Sequence, residues 1–354
     1  MNFIDYLQQK KPQIDKEIVL WLDEQEKEYS SVGYFSKDVF SKLNKFAVSG
    51  KSLRGSLSMF SAEMFEFKDK ASLVKIAGCL EMIHAGLLVH DDIMDDDLLR
   101  RGKPSIFAQY LALGNKKKFD NPLLFGQSMG ICIGSLCSLL SLKMISETNL
   151  EPALKNKVIC KINDEIAKVY LAQMDDVYFG SLNSNPSWDQ IEEIYLHKTS
   201  GYTFCLPLSV GAIVAGKDMR VVKNLFKLGE SIGIIFQIKD DLLAFFSNEK
   251  TIGKPVGTDI KSNKKTLLRF LLYQKSNTKE KRFLDFVFGN KKIKISEIGK
   301  LRKLAEKYRI NKGLERIIEA REKACRKIIE KLAVSRDNKE ILLSLVGYVW
   351  ERKK

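Results

Sequence analysis

Five carboxylates fall within seven residues at Asp91, Asp92, Asp95, Asp96 and Asp97, at the end of an apolar stretch that begins near Leu73. At helical spacing Asp91 and Asp95 share a face, with His84 and Leu88 on the turns before them. Like charges so close repel one another, and negative charge at a helix C-terminus also opposes the macrodipole. A divalent cation is the simplest compensation, and oxygen donors without thiolates or a histidine-rich set favour Mg2+ over zinc. Asp240 and Asp241 repeat the pattern at the end of a second apolar stretch. Mg2+ binds through a few carboxylates and completes its shell with substrate phosphates, so the expected ligand is a di- or triphosphate.

The basic residues nearby suit that ligand. Lys51 and Arg54 precede the first cluster, Arg100 and Arg101 follow it, and Lys198, Lys254, Lys264 and Lys265 lie around the second. Arginine forks clamp diphosphate oxygens bidentately, whereas lysine supplies a mobile point charge. Neither G-x-x-x-x-G-K-[ST] nor G-x-G-x-x-G occurs, which excludes a P-loop and a Rossmann nucleotide site.

Helices must position these groups. Apolar residues recur at three-to-four spacing over 4–21, 53–65, 73–94, 154–179, 191–214, 222–246, 314–332 and 341–350, and strand signals are nearly absent. Pro12, Pro104, Pro122, Pro152, Pro186 and Pro255 read as segment starts or connections, while Pro207, inside 199–214, predicts a kink. The polar run 275–282 reads as a loop, and no Gly/Ser- or Pro-rich linker divides the chain, so residues 1–354 are expected to form a single domain. The stretch 123–142 carries no charge and has glycines at 126, 130 and 134, as a transmembrane helix could. Its serines and glutamine, and its being alone in the sequence, favour a buried central helix of an all-helical domain.

Composition sets wider bounds. With 354 residues, 45% of them hydrophobic, the chain is globular and neither disordered nor collagen-like. The net charge of +15 points to phosphates without choosing among nucleic acid, an anionic membrane surface and small substrates. Residues 301–354 hold 16 basic against 8 acidic side chains, an excess expected on solvated helix surface. Six cysteines without a C-x-x-C pair predict a reducing, cytoplasmic compartment, and the charged first turns predict no signal peptide.

Six motifs, in order, resemble those of the trans-isoprenyl diphosphate synthases, the polyprenyl synthetase family. They are G-K-S-L-R (50–54), E-M-I-H (81–84), D-D-I-M-D with R-R-G-K-P (91–104), A-Q-M-D-D (172–176), H-K-T (197–199), and F-Q-I-K-D-D with G-K-P-V-G-T-D-I-K-S-N-K-K-T (236–266). The resemblance implies an all-α isoprenoid-synthase bundle around a central cavity and a Mg2+-dependent head-to-tail condensation of isopentenyl diphosphate with an allylic diphosphate. It also implies a homodimer, with no nucleic acid as partner and peripheral membrane contact only for product release. By the same resemblance Asp91, Asp92, Asp95, Asp240 and Asp241 hold three Mg2+ ions, Arg100, Lys198 and Lys254 contact the allylic diphosphate, and Lys264 is also a substrate-binding residue. Lys51, Arg54, His84 and Arg101 form the isopentenyl diphosphate site, while Gln173, Gln237 and the Thr199 carbonyl region, beside Lys198, face the reacting carbons.

The sequence departs from the family pattern at Ala244, where many members carry a third aspartate, and at Ser135 after Gly134. The family closes its product tunnel with the residues four and five positions before the first motif, here Leu87 and Gly86. A glycine leaves room, which predicts a product of geranylgeranyl length or longer, with farnesyl diphosphate as the alternative. A terpene cyclase would need a different second motif from the one ending in Ala244 and Asn248. A non-catalytic subunit of the same fold is the remaining alternative, although such a chain is expected to lose first-motif carboxylates that are all present here.

Overall fold

Six helix starts follow capping chemistry. Asn2, Asp69, Asn121, Ser187, Thr266 and Asn277 each accept a backbone N–H with a side-chain oxygen, and a helix begins directly after each. The computed structural model describes residues 1–246 and 257–351, and these are helical almost throughout. Contacts divide the chain into two compact units, Met1–Lys161 with Pro207–Val222, and Ile162–Leu206 with Lys223–Lys354.

The first unit contains α1 (Phe3–Tyr29), α2 (Ser36–Ala47), α3 (Leu53–Glu63), α4 (Lys70–Met94), a hairpin of β1 (Leu99–Arg100) and β2 (Lys103–Pro104), α5 (Ile106–Lys117) and α6 (Pro122–Ser146). Helix α4 packs against α6, α3 and α1, and buries Ile76, Ala77, Cys79, Leu80, Met82 and Ile83 almost completely. The glycines of α6 explain how close that packing is. A Cβ at Gly126 would meet the Phe107 carbonyl of α5, one at Gly130 would meet Ile93, and one at Gly134 would fall on the His90 ring.

Helix α6 is not the fully buried central helix expected from its composition. Only 33% of its most apolar stretch is buried. The glycine face is covered by α4 and α5, whereas Leu124, Ile131 and Leu139 stand exposed on another face. Among the described residues, α4 and α6 are the two helices long and apolar enough to cross a membrane by length and composition.

The second unit takes most of α7 (Pro152–Ser181), then α8 (Trp188–Ile194), a π-helix (Tyr195–Cys205), the start of α9 (Leu206–Val214) and most of α10 (Met219–Phe246). It continues through α11 (Thr258–Lys261), α12 (Leu267–Lys275), α13 (Thr278–Val287), α14 (Ile295–Lys307), α15 (Ile310–Lys331) and α16 (Arg336–Glu351). Pro207 acts upstream of itself. It has no N–H to donate, and the turns before it widen into the π-helix, which closes with the Leu206 N–H bonded to the Gly201 carbonyl.

Two local expectations are corrected. Pro12 lies inside α1 and not at a segment start; it and Gln8, whose carbonyl would have received its N–H, are both exposed, so water takes the lost bond. The run 275–282 is helix at both ends, broken only at Ser276 and Asn277, because Asn277 forms a capping box with Glu280. Helices α2, α5, α12, α13 and α14 carry weaker periodicity and were not foreseen.

Candidate active site

In the first unit, the carboxylate cluster and its cations are set by α4, α3 and the hairpin. Helix α4 ends at Met94 with Asp95 as its C-cap, so Asp91 lies on its last turn and Asp95 is exposed just beyond. Asp92 turns inward and has no exposed side-chain surface. It accepts the Arg100 Nε–H at 2.7 Å and pairs again through Nη2, while Asp91 lies 3.4 Å and Asp97 3.7 Å from Nη2. Burial outweighs that guanidinium and pushes the Asp92 carboxyl up to about 6, with Asp91 and Asp97 adding to the rise.

The hairpin separates the two arginines. Arg101 and Gly102, at φ 54° and 73°, form its two-residue turn, where a left-handed backbone matches the strand twist. Arg100 thereby reaches Asp92, and the Arg101 Nη1 donates to the Ser49 hydroxyl at 2.7 Å. Gly50 accommodates this, since a Cβ there would stand 2.9 Å from the Arg101 Nη2. Lys51 and Arg54 follow around the start of α3, Lys51 exposed and Arg54 buried.

His84 and Glu81 complete this group. Burial, then the charges of Arg54, Arg101 and Arg100, hold His84 well below its usual range, so the imidazole is neutral. Glu81 was quoted in a motif but given no role. Buried on α4, it accepts the Gly55 N–H at 2.8 Å; burial raises its carboxyl, and Arg54 pulls it back. It thus fixes the first turn of α3, which carries Arg54.

The second unit collects the other expected residues. Lys198 pairs with Asp176 of the A-Q-M-D-D motif at 2.5 Å. Gln173 is buried on α7, with its Nε2 lacking a hydrogen-bond partner among the described residues. The Thr199 hydroxyl donates to the Gln237 Oε1 at 2.7 Å, and the Gln237 Nε2 donates to the Asp241 Oδ1 at 2.9 Å. The Tyr195 hydroxyl donates to the Asp241 Oδ2 and accepts the Leu267 N–H at 3.0 Å. Burial pushes Asp241 up to about 7, and the nearby Asp259 charge adds to this. Asp240 is the less buried of the pair.

Asp241, Ala244, Asp259 and Lys264 also line a shallow pocket, with Lys264 3.8 Å from Asp259. Lys254 lies outside the described residues. Tyr195 is a site residue that sequence reasoning missed, because its neighbours in H-K-T drew the attention and nothing in its own spacing marks it.

The donor set suits a hard cation. Asp91 and Asp95 offer only carboxylate oxygens, and the buried Asp92 Oδ2 has no hydrogen-bond partner among the described residues. Among the described residues, no group of three or more His, Cys, Asp or Glu side chains forms a closed cage. Most of an octahedral Mg2+ shell would therefore be left to water and phosphate oxygens.

A family model described as polyprenyl synthetase matches residues 38–305. The chain belongs to the polyprenyl synthetase family. That makes this synthetase a trans-prenyltransferase by class, one of the trans-isoprenyl diphosphate synthases. It is 27% identical to the short chain isoprenyl diphosphate synthase of Methanothermobacter thermautotrophicus, over 86% of this chain and 87% of that protein. It is 29% identical to the geranylgeranyl diphosphate synthase of Saccharolobus solfataricus, over 74% of each. Its fold matches, at TM-score 0.90 and 24% identity, a geranylgeranyl pyrophosphate synthase of Corynebacterium glutamicum crystallised with isoprenyl diphosphate and magnesium, covering 99% of this chain and 100% of that one. The all-α isoprenyl synthase fold expected from the motifs is the fold of this synthetase.

One structural expectation for this synthetase fails. Gly86 does not open a product tunnel: a Cβ there would lie 2.8 Å from the Gly134 carbonyl oxygen. The missing side chain serves the contact between α4 and α6, so Gly86 is no argument for a longer product.

Proposed function

We propose that this chain extends an allylic diphosphate with isopentenyl diphosphate to a trans-polyprenyl diphosphate of geranylgeranyl class, acting as a single domain. The observation that carries the reading is the splitting of each aspartate doublet. Asp92 and Asp241 face inward and hold Arg100 and Gln237, while Asp91, Asp95 and Asp240 remain nearer solvent. The geranylgeranyl assignment draws on the relatives named above and no longer on Gly86.

Asp91, Asp95 and Asp240 would hold Mg2+, with Asp92 and Asp241 behind them; bound there, the metal offsets charge on the departing diphosphate. Lys198, Lys254 and Lys264 hold the allylic diphosphate. Arg100 has five N–H donors, enough to serve Asp92 and a phosphate oxygen together. Lys51, Arg54, Arg101 and neutral His84 hold isopentenyl diphosphate, with Glu81 steadying the α3 turn. The allylic C–O bond breaks with its electron pair going to diphosphate, the isopentenyl double bond forms the new C–C bond to the cationic carbon, and the C–H bond at C2 of the isopentenyl unit then gives its electrons to a new double bond and its proton to the released diphosphate. Gln173, Thr199 and Gln237 face that carbon.

The exposed stripe of Leu124, Ile131 and Leu139 on α6 supports a homodimer, as does a second stripe of Leu171, Met174 and Tyr178 on α7. Incubation with Mg2+, isopentenyl diphosphate and each allylic diphosphate in turn, followed by product analysis, tests the function. Elongation to a C20 product supports it, and a folded protein that extends no starter overturns it.

A further inference from the structure

The hydrogen bonds around Asp241 run in one direction. The backbone N–H of Leu267 can only donate, and it donates to the Tyr195 oxygen at 3.0 Å. The Tyr195 proton is therefore left for the Asp241 Oδ2, to which the hydroxyl donates. Gln237 turns its NH2 toward Oδ1, which accepts from it at 2.9 Å. Its amide oxygen then points the other way and takes the Thr199 hydroxyl proton at 2.7 Å. With its proton committed inward, the Thr199 oxygen keeps its lone pairs for whatever lies beyond it.

The π-helix brings both ends of this chain together. Tyr195 opens it and Thr199 follows four residues later, so one wide turn carries the anchor and the final oxygen. Tyr195 is 5% exposed, too enclosed to meet substrate itself.

We propose that Tyr195 is a positioning residue for prenyl transfer: through Asp241 it fixes the Gln237 amide and so turns the Thr199 lone pairs toward the allylic carbon as that carbon gains positive charge. This rests on the proposed function, in which Thr199 faces the reacting carbon. A prepositioned dipole aimed at developing charge needs no reorganisation when the C–O bond breaks. Without the Tyr195 hydroxyl, Asp241 loses one of its two donors among the described residues, the amide can turn over, and the Thr199 proton can point at the cation.

The test is Tyr195→Phe, which keeps the ring and removes the O–H. The kcat for elongation should fall about tenfold or more, with KM for isopentenyl diphosphate unchanged, since the Thr199 dipole acts on charge that develops only in the transition state. Thr199→Val should lose a similar factor. In the Thr199→Val background, Tyr195→Phe should then cost no more than about twofold, because the two act on one quantity. If Tyr195→Phe does not fold, 4-fluorophenylalanine at 195 fills the hydroxyl volume without a donor and carries the same expectations. An unchanged kcat, or losses that multiply in the double variant, overturns the role of Tyr195. A wild-type chain that extends no starter overturns the proposed function instead, so the two failures are distinguishable.

Discussion

Gly86 on α4 lies against the backbone of Gly134 on α6, so closely that a Cβ on residue 86 would also come within 2.9 Å of the Cys137 Cβ. Backbone cannot move aside as a flexible side chain can. Gly86→Phe should therefore fail to fold or lose far more than the roughly 1–3 kcal/mol typical of an overpacked core. Gly86→Ala should lower the thermal midpoint but leave the product distribution unchanged in whatever protein folds. Thermal unfolding with chromatography of the dephosphorylated products checks both, and a folded Gly86→Phe enzyme with a shortened product would restore the tunnel-floor reading.

The Asp92–Arg100 pair makes a second expectation quantitative. Removing one partner of a buried pair leaves the other charge uncompensated, at a cost of about 3–5 kcal/mol. Arg100→Met should lose stability on that scale in urea unfolding at pH 8. The deficit should shrink near pH 5, because Asp92 already protonates near 6 beside Arg100 and higher still without it. Adding Asp92→Asn should recover most of the loss at pH 8, and a double variant no more stable than Arg100→Met would contradict this account.

How much of this was legible in the sequence depends on the range of the interaction. Asp91, Asp95 and Asp240 announce themselves by repeating charge at helix ends, and the long helices by apolar period. Asp92 and Asp241 look the same in sequence as their neighbours, yet one holds Arg100 and the other Gln237, because one residue along a helix turns the side chain by about 100°. Gly86 read as open space because a glycine in a string has no partner; its partner is a carbonyl some fifty residues away. Tyr195 and Glu81 were missed for the same reason, since their roles depend on Asp241, Leu267 and Gly55 brought near by folding. Pro207 was seen, but its consequence, a widened helix before it, depends on how its neighbours pack.

Lys265 gives a pH dependence whose sign can be stated. It is 3% exposed, donates to the Leu182 carbonyl at 2.8 Å, and is lowered by burial and by neighbouring Arg269 from 10.5 to about 8. Between those values the unfolded lysine holds a proton that the folded one has lost. Stability therefore rises with pH across that window, and the penalty is fully present below it. Relative to Lys265→Met, the wild-type thermal midpoint should climb from pH 8 to pH 10.5. Parallel curves for the two proteins would show that Lys265 keeps its charge when folded.

Metal removal should separate activity from fold. The carboxylates offer no closed cage among the described residues, so a cation there contributes little to holding the helices. EDTA should abolish elongation and leave the thermal midpoint of the substrate-free protein within about 2 °C, a shift worth about 1.5 kcal/mol at this size. Asp91→Ala should cut turnover by orders of magnitude and weaken Mn2+ binding measured by electron paramagnetic resonance. Unchanged Mn2+ binding would place the metal elsewhere.

The exposed face of α6 makes the last expectation. Leu124, Ile131 and Leu139 are 57%, 53% and 69% exposed, and small residues, Ser128 and Ser135, lie between them at helical spacing. Side chains of this type gain about 1.5–3 kcal/mol each when fully buried, and a two-fold interface counts each of them twice. Such a stripe can support a stable dimer even after the cost of association is subtracted. Sedimentation should find the wild-type protein dimeric at micromolar concentration, and Ile131→Glu with Leu139→Glu should render it monomeric without lowering its helix content. Burying two carboxylates opposite their own copies is a penalty that no repacking of a symmetric interface removes. A wild-type monomer, or a doubly substituted dimer, would exclude α6 as the interface.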